Sequence, residues 1–296
     1  MVGIITFTLV YVGPGDPAAI IAGDEATPEI LEEIREDLGF NRSFPVQMGD
    51  WFWKLAHGDL GTSYFSRREI TELITPRLQP TLSLGFQVVV ISTIIGISTR
   101  MLAAWKAGTR LDRNLMVLAV LGFATPGFWL AFLTIWLFAV NLGWFPVIGY
   151  SPIQDGLFKH LHSLFLPVMV NSILASAFIS RITRSAMLEV LREDYIRTAR
   201  AKGASEFSVF LRHAFRPSAI PVATVIGASI AGLATGFVLT ETIFAIPGLG
   251  RMLVDAIVRR DYPIIQALLM VVAIVLIGVN LIIDILYAYI DPRIRY

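Results

Sequence analysis

Apolar residues along this chain fall in long blocks rather than in the spaced stripes of half-buried helices and strands. Five complete blocks stand at about 81–104, 114–140, 164–187, 218–242 and 264–290. None has a run of charges at its middle, and Pro, Gly or charged residues flank each one. A helix of roughly 20 apolar residues crosses a hydrocarbon layer about 30 Å thick, and each block reaches that length. Residues 1–12 (MVGIITFTLVYV) are also apolar but too few to span. No basic residue precedes them, and Gly13-Pro14-Gly15-Asp16-Pro17 follows instead of a small-residue cleavage site, so they do not read as a secretory leader. They read as the second half of a first transmembrane helix whose beginning is absent from this sequence. The pattern predicts an all-α integral membrane protein of about six transmembrane helices. One transmembrane domain covers 1–296: the partial first helix (1–12), a segment at 13–80, helices two to six within 81–290, and a tail at 291–296.

The connections orient this set. Those near 100–113 and 181–217 hold four and eight Lys/Arg, and the tail adds Arg293 and Arg295. Those near 141–163 and 243–263 hold one and three. Short cationic loops stay on the cytoplasmic side, whereas long segments such as 13–80 count little in that rule. Both termini are therefore expected in the cytoplasm and 13–80 outside.

The external segment has its own helical signals. Thr27 suits an N-cap, Pro28 the first helical position, and Glu29, Glu32 and Glu33 the positive end of the helix dipole. Ile30, Leu31, Ile34 and Leu38 form an apolar stripe, and Gly39 stands where a left-handed residue ends a helix. Trp51 and Trp53 suit a membrane–water boundary. A packed cap over the helices and a docking site for an external partner both fit this segment.

Composition agrees with the pattern. Of 296 residues 55% are apolar and 16% charged, against about a quarter charged in soluble domains, and mean hydropathy is +0.67. A formal charge of +1 gives a nucleic-acid partner no overall electrostatic support. The chain has no cysteine, which excludes disulfides and thiolate chemistry. It also lacks a Gly-x-x-x-x-Gly-Lys-Ser/Thr loop and has no Gly-Lys pair, so it has no cradle for nucleotide phosphates.

Residues 189–222 (EVLREDYIRTARAKGASEFSVFLRHAFRPSAIPV) form the most informative connection. Ala199 and Ala201 favour helix, Gly203 can turn the chain at positive φ, and Ser205 can cap a second helix with Phe207, Phe210 and Leu211 along one edge. A short amphipathic helix pair at 189–217, lying along the cytoplasmic face, is suited to plugging into a partner protein.

This connection resembles the "EAA" coupling loop of permease subunits in bacterial binding-protein-dependent ABC importers. That loop reads Glu-Ala-Ala, three residues, Gly, nine residues, then Ile-x-Leu-Pro. Aligned on Gly203, its first positions fall on Arg197, Thr198 and Ala199, so the Gly and one Ala match. The departures resemble the dipeptide/oligopeptide/nickel branch, with RTARAKG at 197–203 and Arg212-His213-Ala214-Phe215. PGDP (14–17), GDLGTS (58–63), RLQPTLSLG (77–85), ATPGFW (124–129), FPVIGY (145–150), PGLGR (247–251), RDYP (260–263) and DPRIRY (291–296) are similar to that branch too. Together they resemble its B-type permease. The resemblance implies a permease in a bacterial or archaeal cytoplasmic membrane. Its partners would be a second related permease, two cytoplasmic ATPase domains that bind ATP and Mg, and an external solute-binding protein. The chain itself would need no cofactor and catalyse no reaction. ATPase coupling would fall on Arg197, Thr198, Ala199, Arg200, Gly203, Ala204, Glu206 and Phe207.

Other polar positions have weaker claims. Gln87, Pro126 and Asn171 are candidates for the translocation path, with helix packing an equal alternative; Ser176 is read the same way. Pro126 removes a bond to the Gly122 carbonyl and predicts a kink. Asp284 suits an ion pair at the membrane boundary. His160 and His162 suit an external loop better than a metal, and His213 suits hydrogen bonding within its loop. An ion-coupled secondary transporter would need buried charges near mid-membrane, where only Asp284 offers itself, and an intramembrane hydrolase would need a His in a span. Neither explains residues 189–222.

Overall fold

The computed structural model describes residues 1–12, 17–22, 27–37, 39–106 and 108–290. Residues 14–16 of the PGDP run, Leu38 and the tail at 291–296 lie outside the described residues. The described chain is built of helices: α1 (Val2–Val12), α2 (Pro17–Ala22), α3 (Pro28–Asp37), α4 (Phe44–Ala56), α5 (Ile70–Trp105), α6 (Arg110–Ala124) and α7 (Gly127–Thr134, extended by a π turn over Ile135–Asn141). These are followed by α8 (Leu157–Val190), α9 (Asp194–Ala201), α10 (Glu206–Ser208), a π turn over Val209–Ala214, α11 (Phe215–Ile243), α12 (Leu249–Arg259) and α13 (Tyr262–Ile290).

Helices α5, α8 and α13 are long and apolar enough among the described residues to cross a membrane, and α6 with α7 makes a fourth span broken at its middle. Helix α11 has 29 residues, about 43 Å at 1.5 Å per residue. With α1 these account for the six apolar blocks. Large apolar side chains stand on the surface at Phe86, Leu118, Trp136, Ile277 and Ile285. Water would penalise that surface; lipid tails or partner helices would not.

Two differences from the sequence pattern have physical causes. Helix α5 begins at Ile70, well before the apolar block at 81, because Ile70 and Ile74 bury one face of its first turns. The block at 114–140 is two helices, not one kinked helix. Ahead of Pro126, Thr125 sits at φ −81°, ψ 126°. Proline disfavours the helical region in the residue before it, so α6 stops at Ala124 and α7 leaves at 103°.

The chain forms two compact units. The first comprises Met1–Gln79 with Gly248–Val275. Its core sets Ile70 and Ile74 against Leu249, Met252 and Ala256 of α12 and Ile264, Ala267 and Leu268 of α13. Thr27 Oγ1 accepts the Ile30 N–H at 3.4 Å at the start of α3, and Gly39 follows its end at φ +69°. Helix α4 carries both tryptophans: Trp51 packs on Phe7 with ring centroids 5.7 Å apart, and Trp53 is exposed. GDLGTS and RDYP meet across 198 residues of sequence. Ser63 Oγ donates to Asp261 Oδ2 at 2.5 Å, and the Tyr64 N–H donates to Oδ1 at 3.3 Å.

The second unit comprises Pro80–Pro247 with the chain from Leu276. Helix α8 is its central strut, packed against α6, α7 and α11. Leu164, Leu166, Val168 and Val170 of α8 meet Leu84 and Val88 of α5, Ala131 of α7 and Phe237 of α11. Backbones approach closely at Gly96, where an added Cβ would stand 2.8 Å from Ile179 Cγ2 and 3.3 Å from the Ser176 carbonyl oxygen.

Candidate coupling surface

The connection after α8 is pinned from below. Ile196 of α9 and Val209 are fully buried with Met187 and Ala214, and Met101, Val190, Leu191, Ala199 and Ala204 pack around them. The sequence achieves this by spacing: in α9 Ile196 and Ala199 fall on one face, with Arg197, Thr198 and Arg200 outside.

Gly203 ends α9 in a Schellman turn. The Ala204 N–H donates to the Ala199 carbonyl at 3.1 Å and the Gly203 N–H to the Arg200 carbonyl at 2.9 Å. Gly203 has φ +81°, a left-handed conformation that costs other L-residues about 1–2 kcal/mol. Nothing lies within 4 Å of a Cβ added there, so any strain on substitution is conformational. Ser205 Oγ then accepts the Ser208 N–H at 3.3 Å and starts the next helix. Across the turn, Arg200 Nε and Nη2 donate to Glu206 Oε1 and Oε2 at 2.9 and 3.2 Å. The fork is exposed and fixes geometry more than stability, since such pairs are worth about 0–1 kcal/mol.

The second arm is not a free-standing helix. Residues 206–214 run through the π turn directly into α11. Pro217 supplies no N–H to the His213 carbonyl four residues back; Tyr195 Oη of α9 donates to that oxygen at a long 3.4 Å. Burial, and then the nearby Glu193 carboxylate, push the Tyr195 hydroxyl pKa up, so it stays a donor at neutral pH. Movement of this turn is therefore linked by continuous backbone to a membrane helix. The side chains of Phe207, Phe210 and Leu211 lie outside the described residues.

Candidate path residues are scattered. Asn171 is buried on α8, its Nδ2 donating to the Pro167 carbonyl at 2.7 Å and to Thr240 Oγ1 of α11 at 3.0 Å. Gln87 is half-buried on α5, and Ser176 donates to the Ile173 carbonyl within α8. Pro126 starts α7 at the 103° break. Asp284 is exposed on α13. His160 and His162 are helical, not in a loop, and their rings contact the Ser151 and Trp144 carbonyl oxygens at 2.8 and 2.9 Å. No group of three or more potential metal ligands occurs among the described residues.

Two polar links escape the sequence reading. Glu241 of α11 is fully buried and accepts from Thr81 Oγ1 of α5 at 2.6 Å. Asp112 of α6 holds Arg184 of α8 by two bonds, at 3.3 Å to Nε and 3.1 Å to Nη2. Partners 160 and 72 residues apart leave no local signal: Glu241, Asp112 and Arg184 each read alone as a charge near the edge of an apolar block, and Thr81 as a lone hydroxyl.

Comparison with known proteins places this geometry. Residues 92–296 match the family described as binding-protein-dependent transport system inner membrane component. Residues 1–85 match the N-terminal family of such membrane components. A probable peptide ABC transporter permease protein of Sinorhizobium fredii is 45% identical over 296 residues, covering 100% of this chain and 95% of that protein. The dipeptide transport system permease protein DppB of Escherichia coli K12 is 40% identical over 317 residues, covering 99% and 94%. Among solved structures, an inward-facing MetNI methionine ABC transporter aligns at TM-score 0.63 and 16% identity, covering 75% of this chain and 98% of that one. An amino acid ABC transporter aligns at 0.55 and 14%, covering 73% and 93%. At such identities the two structures speak for the fold.

Proposed function

Because this chain belongs to the binding-protein-dependent inner membrane components and is a permease subunit of an ATP-driven importer, we propose that it passes peptides or similar small solutes, coupled to ATPases through the turn at Gly203. The names of the peptide and dipeptide relatives support the cargo class. The observation that carries the coupling role is the anchored turn itself. Arg197, Thr198, Arg200 and Glu206 face outward from a buried peg made by Ile196 and Val209, and the backbone continues into α11.

In this reading 189–217 lies in the cytoplasm against one of two ATPase domains, which bind ATP and Mg. A second related permease completes the path. Residues 13–80 face outward, toward a solute-binding protein. The chain alternates between outward and inward access and carries out no chemistry. Arg197, Thr198, Arg200, Gly203, Glu206 and Phe207 form the coupling surface, with Ala199 and Ala204 supporting it from the packed side; Gln87, Pro126 and Asn171 belong to the path helices. The family is of the inner membrane, and in this reading both termini lie on the cytoplasmic side, as the cationic connections suggest.

The test is reconstitution. In proteoliposomes holding both permeases and the ATPases, a labelled peptide should accumulate only with ATP and binding protein both present. The isolated chain should bind no nucleotide. Uptake driven by an ion gradient without ATP would favour the secondary-transport alternative.

A further inference from the structure

The first unit contains a cleft of about 650 Å³, between the end of α3, α4, the loop before α5 and the start of α13. That is a volume suited to a small ligand. Its polar lining is not fully used by the protein. Gln266 is 7% exposed, and its amide opens to the cleft instead of bonding to another described residue. The hydroxyl of Tyr64, which burial and the Asp261 carboxylate keep protonated, has none either. A primary amide both donates and accepts, the complement of a peptide group, and a phenol adds a donor. Phe40 and Trp51 give apolar wall beside these groups. Lys54 and Asp37 add opposite charges, both exposed and neither ion-paired among the described residues. A neutral solute leaves both charges unmatched, and an anion meets Asp37 unfavourably. A zwitterion with an internal amide matches these four groups, while Asp59, a further exposed carboxylate of the lining, is engaged by the Gly61 N–H at 2.8 Å.

We propose that this cleft is an accessory binding site for short peptides with free termini, separate from the membrane path. Gln266 and Tyr64 would take the peptide backbone, and Lys54 and Asp37 the terminal carboxylate and ammonium. The proposal rests on the reading of the chain as a peptide permease with 13–80 outside, and adds a site on the permease itself.

The probe is radiolabelled trialanine, measured by equilibrium dialysis against the assembled permease–ATPase complex in lipid nanodiscs without binding protein. Saturable binding is expected, weakened about tenfold by Gln266→Leu, the loss typical of one buried hydrogen bond, and about two- to fivefold by Lys54→Gln, whose ion pair with the peptide is exposed. N-acetyl-trialanine-amide should compete about tenfold or more less well. Lys54→Gln alters an exposed side chain, so its effect stands even if Gln266→Leu fails to assemble. Absence of saturable binding, or binding unchanged by Lys54→Gln, overturns the site. ATP-driven uptake in the same complex with binding protein separates the two claims. Uptake without cleft binding refutes only the cleft, whereas no uptake refutes the import reading.

Discussion

At Gly203 a single torsion carries the geometry of the turn. Asn tolerates the left-handed region better than other residues with a side chain, whereas a β-branched residue is penalised most. Since the space around the position is open, Gly203→Asn should keep most of the peptide-stimulated ATPase rate of the complex. Gly203→Val should lose most of it, with the membrane spans inserted at near-normal level. Equal rates for the two variants would mean that the torsion is irrelevant. This turn is legible in the sequence because its signals are local: Ala199 and Ala201 for helix, Gly203 for the turn, Ser205 for the cap. The ion pair of Asp112 with Arg184 is illegible for the opposite reason, since its two halves are joined only when α6 packs on α8. Asp112→Ala should leave the Arg184 guanidinium half-buried without its carboxylate and cost about 1–3 kcal/mol. A fall in the thermal unfolding temperature of the purified complex checks this, and an unchanged temperature contradicts it.

At the scale of helices, sequence gives the blocks and misses the joints. Apolar length predicts α5, α8, α11 and α13 because burial in lipid needs only length and composition. It does not predict that the arm after Ser205 runs on into α11, nor that α6 and α7 part at Thr125. For the second, a proline alone does not say whether a helix kinks or breaks, and the first depends on how the His213 carbonyl, denied an N–H by Pro217, is satisfied in three dimensions. The close approach of α5 and α8 at Gly96 has the same origin. A methyl group there must displace Ile179 or the α8 backbone, so Gly96→Ala should cost about 1–3 kcal/mol. Adding Ile179→Ala should recover part of that loss, because the clashing Cγ2 is removed. Helix propensity alone would make Gly96→Ala a gain, so a fall in thermal unfolding temperature, partly recovered in the double variant, identifies the clash.

At the scale of the whole molecule, the charge bias of the connections sets the expected topology. The chain has no native cysteine, so single cysteines report without background. With Ser66→Cys, in the exposed loop before α5, an impermeant thiol reagent should label intact cells. With Lys202→Cys, beside the Gly203 turn, it should label only after lysis. The family match and the 40–45% identical relatives say that the chain is an importer permease; which surface meets the ATPase is the central claim made of this particular chain. A photo-crosslinking amino acid at Arg197 in the intact complex tests that claim most directly, with Ser66 as the control position. A covalent adduct between position 197 and an ATPase subunit, with none from position 66, is the predicted result. Adducts to the ATPase from 66 and none from 197 would contradict it.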